Sequence, residues 1–235
     1  MSTTLELYRD DRVRAVLFLS TGNGKTGAVP TLAIVPQVRG DRRSACPSCI
    51  RLDDGTCYAW TGRYGMQAGK WAAADLQVAT RRDLRAMVGG RYVRSAAIGD
   101  LGALPRDAAL SILADLRNAG AVGTLGYTHE WRTAYWLRDS HMASCDTLAD
   151  VAAATALGWR YFYAGPAVDR YAGKRDGAVY CPSDRLDTVT CDRCGLCDGT
   201  ARGSGRPSVV IAEHGNSQVK KAMRLRAAAS LSIGA

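Results

Sequence analysis

Cys181, Cys191, Cys194 and Cys197 follow the pattern C-x9-C-x2-C-x2-C. Thiolates this close together in a glycine-containing loop can converge on one inorganic centre without help from a helix. Four of them suit tetrahedral zinc or an iron–sulfur cluster. Zinc sites usually use two separated C-x2-C knuckles, whereas a tight C-x2-C-x2-C run is typical of a cubane cluster. A [4Fe–4S] cluster is therefore the first expectation and zinc the alternative metal. The same four residues could also act only as a clasp for the C-terminal segment. Cys46, Cys49 and Cys57 form a second set, C-x2-C-x7-C. Three thiolates make an incomplete site. Its fourth position falls to Cys145, to a histidine or to an exogenous ligand. An open position would matter, because metal chemistry needs one. If Cys145 closes the site, two sets of four use all eight cysteines.

Other residues could do chemistry beside these centres. Only three histidines exist. His129 in Tyr127-Thr128-His129-Glu130 and His214 both follow apparent strands, where a general base or a metal ligand can sit. His141 reads better as a surface or hydrogen-bonded residue. Asp100 in Gly99-Asp100-Leu101-Gly102 is either a site carboxylate or the cap of a turn. Lys25 lies in Gly22-Asn-Gly-Lys-Thr-Gly27. Leu19 stands where a phosphate-binding loop needs glycine, and no long helix follows, so the P-loop reading is weak. A lysine in a glycine loop can still hold an anion.

The elements that must position these residues alternate along the chain. Arg12 to Ser20 and Thr31 to Val35 read as strands. Residues 39 to 65 read as an irregular loop. Gly69 to Val88 shows helical spacing, ended by Gly89-Gly90. A strand over Arg94 to Ile98 is followed by a helix opened by Pro105 and stopped at Ala119-Gly120. Gly123 to Tyr127 reads as a strand. Asp146 is placed as the cap of a helix running to Gly158. Trp159 to Ala164, Ala178 to Tyr180 and Ser208 to Ala212 read as further strands. Thr200 to Ser208 includes a Gly/Arg/Ser linker, and Gln218 to Ala229 reads as a basic helix.

Strand–helix alternation predicts an α/β fold with mainly parallel strands. The polar punctuation falls just after the strands, where parallel α/β folds place their sites. A small or incomplete (β/α) barrel is expected, with a doubly wound sheet as the alternative. Residues 1–235 are read as one α/β domain carrying a Cys-rich loop at 40–65 and a Cys-rich C-terminal loop at 180–200.

The length of 235 residues allows a real core, and 47% hydrophobic with 23% charged residues excludes bulk disorder. No apolar run approaches ~18 residues, so no membrane span is expected. The first residues lack the basic start and apolar core of a signal peptide, which predicts a cytoplasmic protein whose thiols stay reduced. Lysine and arginine number 31 against 22 acidic residues, a formal charge of +9. That balance makes DNA or RNA a candidate partner. Arg81, Arg82, Arg85, Arg91 and Arg94, with Lys220, Lys221, Arg224 and Arg226, could form a basic face. Trp131, Tyr135 and Trp136 could stack on bases. Nothing in the sequence gives the oligomeric state.

The Cys-Pro-x-x-Cys…Gly-x-Cys-Tyr-Ala segment resembles a set of small, uncharacterised bacteriophage proteins. The likeness extends through Gly22 to Gly27, Gly99-Asp100, Tyr127-Thr128-His129, Ser144-Cys145-Asp146, Cys191 to Cys197 and His214-Gly215, about residues 17 to 221. Location in the host-cell cytoplasm would follow. More distantly, a Cys-rich loop ending in Cys-Tyr-Ala near the start of an α/β chain resembles radical-SAM-type iron–sulfur proteins. Their usual spacing is Cys-x3-Cys-x2-Cys, which this chain does not have. This resemblance implies one or two [4Fe–4S] clusters, with Cys46, Cys49 and Cys57 at the reactive one. S-adenosylmethionine would be a cofactor, and a nucleotide or nucleic acid the substrate. Asp100, His129 and His214 are then expected at the mouth of the barrel as catalytic residues, and Lys25 and Tyr58 as cofactor contacts. A non-enzymatic zinc- or cluster-stabilised nucleic-acid-binding module is the alternative. A metal-stapled virion or host-interaction protein is a third reading.

Overall fold

The computed structural model describes residues 4–19, 24–61, 63–166, 177–200, 205–213, 220–221 and 224–225, without the side chains of Tyr58, Thr61, Arg63 and Tyr64. His214, Gly215 and Arg226 therefore lie outside the described residues, as do parts of the linker and of the basic helix. Lys220–Lys221 and Arg224–Leu225 are helical.

Alternating apolar residues build the first strands. β1 (Thr4–Arg9), β2 (Val13–Leu19) and β3 (Pro30–Pro36) form an antiparallel meander, with Val16 opposite Ala33. The short alternating run of β1 was not among the expected strands. β2 and β3 are buried along almost their whole length. Leu17, Leu32 and Ile34 are fully enclosed, each contributing about 2 kcal/mol of apolar burial.

Beyond β3 every pairing is parallel. β4 (Tyr92–Arg94) joins β3, and β5 (Gly123–Leu125) joins β4, giving the order β1-β2-β3-β4-β5. β6 (Tyr127–Thr128), β7 (Met142–Cys145), β8 (Tyr161–Gly165), β9 (Val179–Tyr180) and β10 (Val209–Ala212) form a second sheet in the order β6-β7-β8-β10-β9, all parallel. Gly126 alone separates the two sheets along the chain. Its N–H donates to Cys197 O and its carbonyl accepts from Met142 N. A Cβ there would meet the His141 ring at 2.9 Å and Ser95 at 3.0 Å. The expected strand over Gly123 to Tyr127 is thus one passage that changes sheets at a glycine. The fold is α/β with largely parallel strands, and no closed barrel forms among the described residues.

The named α-helices are α1 (Arg42–Ala45), α2 (Ile50–Asp53), α3 (Tyr58–Thr61), α4 (Arg63–Ala73), α5 (Arg81–Val88), α6 (Arg106–Asn118), α7 (Leu148–Ala156), α8 (Pro182–Arg185) and α9 (Cys191–Cys194), with 3-10 turns at Leu101–Ala103, His129–Arg132 and Tyr135–Leu137. α6 buries Ala109, Ile112, Leu113 and Leu116, the spacing of one helical face. The main core draws on residues from Val13 to Val210 and on both sheets.

Three sequence expectations change here. Residues 39 to 65 are not irregular, because α1, α2 and α3 give them three single turns of helix. The single helix over Gly69 to Val88 is two helices. Glu6 of β1 takes the backbone between them, donating to Gln77 O and accepting from Ala79 N, and Thr80 with Asp83 then caps α5 reciprocally. The strand expected over Arg94 to Ile98 ends at Arg94. Ala96 just beyond it has φ +53°, a left-handed conformation that a strand cannot carry.

Candidate metal centres

The first thiol set lies in the segment after β3. Asp41 caps α1 by accepting from Ser44 N, and Cys46 terminates that helix. Cys49 opens α2, and Cys57 N donates to Arg51 O. Arg43 gathers the carbonyls of the turn, with Nη1 at 3.1 Å from Pro47 O and 3.3 Å from Cys49 O, while Nη2 pairs with Asp53. Such a fork of donors suits a turn whose carbonyls have no helix partner. From across the sheets, Glu130 Oε1 accepts from Ser48 N at 2.9 Å and Ser48 Oγ at 2.8 Å. Arg51 pairs with Asp146 at 2.7 Å. These ties hold Cys46, Cys49 and Cys57 around a cavity of about 90 Å³, bordered also by Trp60, Asp100 and His129.

Burial pushes the Cys46 thiol far up, and Asp100, Cys49 and Cys57 push it the same way. A thiol in that setting ionises only against a cation or a metal. Trp60 adds a donor to the same site. Its buried indole N–H is directed at the Cys46 thiol, where it favours the thiolate. A buried donor beside clustered sulfur fits a thiolate or sulfide acceptor.

Asp100 sits at this cavity, but its carboxylate is engaged. Oδ1 accepts from Gly102 N at 2.8 Å and Thr128 Oγ1 at 2.7 Å, and Oδ2 accepts from His129 N at 2.7 Å. The residue caps the 3-10 turn at Leu101–Ala103 and also fixes the backbone of His129. The His129 ring is held at Nε2, 3.2 Å from Asp146 Oδ2 and 3.1 Å from Ser144 Oγ. Burial opposes charge on this ring. Asp146 and Cys49 outweigh it and hold the imidazole well above its ordinary pKa. Burial likewise opposes charge on Asp146, and His129 and Arg51 hold its carboxyl below the usual range.

Asp146 is therefore a site residue and not the expected helix cap. Thr147 caps α7, in a reciprocal pair with Asp150. Cys145 borders the same cavity from β7. In β7 the side chains alternate, so Met142 and Ser144 share one face while Ala143 and Cys145 share the other. Met142 packs with Phe162, Ala164 and Val209, whereas Ala143 and Cys145 pack into the main core. Burial raises the Cys145 thiol, Asp150 and Asp146 push it the same way, and Arg132 opposes them.

The second set is a four-thiol group. Cys197 is pushed up by burial and then by Cys181, Cys191 and Cys194, which places all four within one electrostatic neighbourhood. Burial also raises Cys181 and Cys191. Three devices shape the loop. Lys25 O accepts from Cys191 N and Ser183 Oγ, and Thr26 O accepts from Asp192 N. Arg160 is buried, and its guanidinium donates to the carbonyls of Leu196, Asp198, Gly199 and Pro207 and to the Asp198 carboxylate. Gly195 turns the chain at φ +64°, where a Cβ would meet Tyr92 Oη at 2.5 Å. The cysteines border a cavity of about 300 Å³. Lys25 also borders it and pairs with Asp184 at 2.6 Å. Its glycine turn thus braces the second thiol loop, a use that the phosphate-loop comparison does not foresee.

The two cavities share a wall of Ala96, Tyr127 and Phe162. The Tyr127 and Phe162 rings stack with centroids 4.3 Å apart and an interplanar angle of 9°. Among the described residues, no three Cys, His, Asp or Glu side chains form a ready group for a single metal ion.

Elsewhere, Trp131 is buried under the Arg132 guanidinium at 3.8 Å, so it is not a base-stacking surface; Tyr135 is exposed. Arg81, Arg82 and Arg85 are exposed on α5, while Arg94 borders the second cavity instead of that face. His141 is buried between Ser95 and Ser140. His214 and the side chain of Tyr58 fall outside the described residues. The sequence assigns no role to Trp60, Ser48 or Arg51, names Glu130 and Ser144 only within motifs, and places Arg160 in an aromatic run of the core. A lone arginine inside a buried strand is the one local signal that could have marked Arg160. No helix among the described residues is long and apolar enough to cross a membrane. Comparisons of the chain with protein-family models, curated proteins and solved structures found no match.

Proposed function

We propose that this chain is an iron–sulfur protein with two centres of unlike ligation. Cys181, Cys191, Cys194 and Cys197 hold one [4Fe–4S] cluster with four thiolates. Cys46, Cys49 and Cys57 hold the other with three. A cluster bound there supplies one-electron chemistry. The observation that carries the reading is the division of the cysteines. Three thiols gather beside His129, Asp100 and the buried Trp60 N–H, while alternation along β7 sets the Cys145 side chain opposite Ser144, which reaches His129. An iron without a cysteine is where further ligand chemistry belongs, and the likeness to radical-SAM-type proteins makes S-adenosylmethionine the candidate. The substrate proposed is a nucleotide or nucleic acid, in keeping with the charge of +9. The chain's own contribution is to bury the centre and position it with Glu130, Arg43 and Arg51.

Anaerobic purification tests this. Brown protein with iron and sulfide is expected, and its reduced EPR signal should change when S-adenosylmethionine is added. Colourless protein with stoichiometric zinc would overturn the cluster, and an unchanged EPR signal would overturn the enzymatic part. The exposed Arg81, Arg82 and Arg85 favour a second reading, a metal-stabilised nucleic-acid-binding module without catalysis. Its mark would be steeply salt-dependent DNA binding that weakens when these arginines are neutralised.

A further inference from the structure

The geometry points to His129 as the protein's own fourth donor to the first centre, so that this cluster is held by three cysteines and one histidine. The inference rests on the cluster reading above and adds a ligand to it. The first cavity holds three neighbouring thiols and needs one more donor to satisfy four irons. Cys145 borders the cavity as well, but it follows Ser144, whose hydroxyl lies 3.1 Å from His129 Nε2, so alternation along β7 sends the Cys145 side chain to the opposite face of the strand. Asp100 also borders the cavity, but three donors occupy its two oxygens. His129 borders the cavity together with the three thiols.

The ring is held as a ligand would be. Its backbone is anchored by Asp100 Oδ2, and its Nε2 faces Asp146 Oδ2. A carboxylate takes the nitrogen that bears a proton. In the neutral ring this leaves the lone pair on Nδ1, the arrangement in which a carboxylate orients a metal-binding histidine. Asp146 is fixed in turn by Arg51, which lies in α2 directly after Cys49. The same chain of contacts thus ties the histidine to the loop whose thiols it would join. His129 and Ser144 also border an outer pocket of about 340 Å³. An exogenous ligand arriving from that side would reach this iron by displacing the imidazole.

The test is pulsed EPR on the reduced, anaerobically prepared protein carrying 15N-histidine. With three histidines in the chain, the label reports few positions. A strong 15N coupling of a directly bonded imidazole is expected in the wild type. It should vanish in His129→Cys, which supplies a thiolate and should keep its full iron content. A cluster without 15N coupling in the wild type would overturn the histidine ligand while leaving the cluster reading intact, and this holds even if the variant fails to fold. Coupling that survives in His129→Cys would also overturn it. Protein that binds no iron at all would sink the ligand and the cluster reading together.

Discussion

Glu130 and Ser48 are 82 positions apart in sequence, yet one carboxylate oxygen of Glu130 takes both the N–H and the hydroxyl of Ser48. Ser48 stands between Cys46 and Cys49. Glu130 follows His129. This pair therefore sets the distance between the thiol loop and the histidine that faces it. Hydrogen bonds to a charged group contribute about 1.5–3 kcal/mol. Glu130→Ala should destabilise the fold by roughly 2 kcal/mol and reduce iron retained at the first centre, with the second centre unaffected. Glu130→Gln, which keeps an acceptor oxygen, should lose less on both counts. Urea unfolding and iron analysis read the two effects, and equal iron loss from both centres would contradict the local role.

Arg160 has the same relation to the second loop, on a larger scale. Its buried guanidinium meets four backbone carbonyls and the Asp198 carboxylate. Asp198 keeps Arg206 as a second partner, so the loss falls mainly on the four carbonyls left without a donor, at about 1–3 kcal/mol each. Arg160→Met should lower the unfolding free energy by about 3 kcal/mol or more and release metal first from the four-cysteine set. Arg160→Lys should rescue little, because a single ammonium cannot reproduce the planar fork.

The division of the cysteines predicts unequal substitutions. Cys145→Ala should leave iron content unchanged and cost about 1 kcal/mol for the small cavity it opens. Cys46→Ala, Cys49→Ala and Cys57→Ala should each abolish the first centre's signal. Iron loss in Cys145→Ala equal to that in Cys46→Ala would show that the thiol turns toward the cluster after all.

His141 predicts a pH effect. Burial holds its pKa down to about 4, against a smaller opposing pull from Asp100. The unfolded chain then binds a proton that the folded chain refuses, so stability falls as pH drops from about 6.5 toward 4. The full effect is about 3 kcal/mol. Denaturant midpoints measured from pH 7 to pH 4 should decline less steeply in His141→Asn than in the wild type. Parallel pH profiles would show that the histidine titrates freely in the folded state.

Much of the scaffold can be read along the chain. The buried runs of β2, β3 and β8 and the face of α6 follow from residue periodicity, and strand–helix alternation leads to the parallel pairings. Where periodicity misled, a distant partner had intervened. Glu6 broke the helix expected over Gly69 to Val88, and Gly126 passed one strand from the first sheet to the second. Asp146 looked like a helix cap because its neighbour Thr147 does that work, leaving its carboxylate for Arg51 and His129. Arg43, Glu130 and Arg160 are unremarkable letters until the carbonyls and hydroxyls they serve are brought beside them.

The sequence by itself determined which thiols can act together within a loop, because residues two or three positions apart cannot move far from one another. Only the tertiary structure decided which of the remaining groups faces them. How His129 and Cys145 are turned at the first cavity depends on the register of β7 and on the hydrogen bonds at the end of β6. A shift of one residue in a strand moves every side chain to the opposite face, and pairing between strands, not local spacing, sets that register.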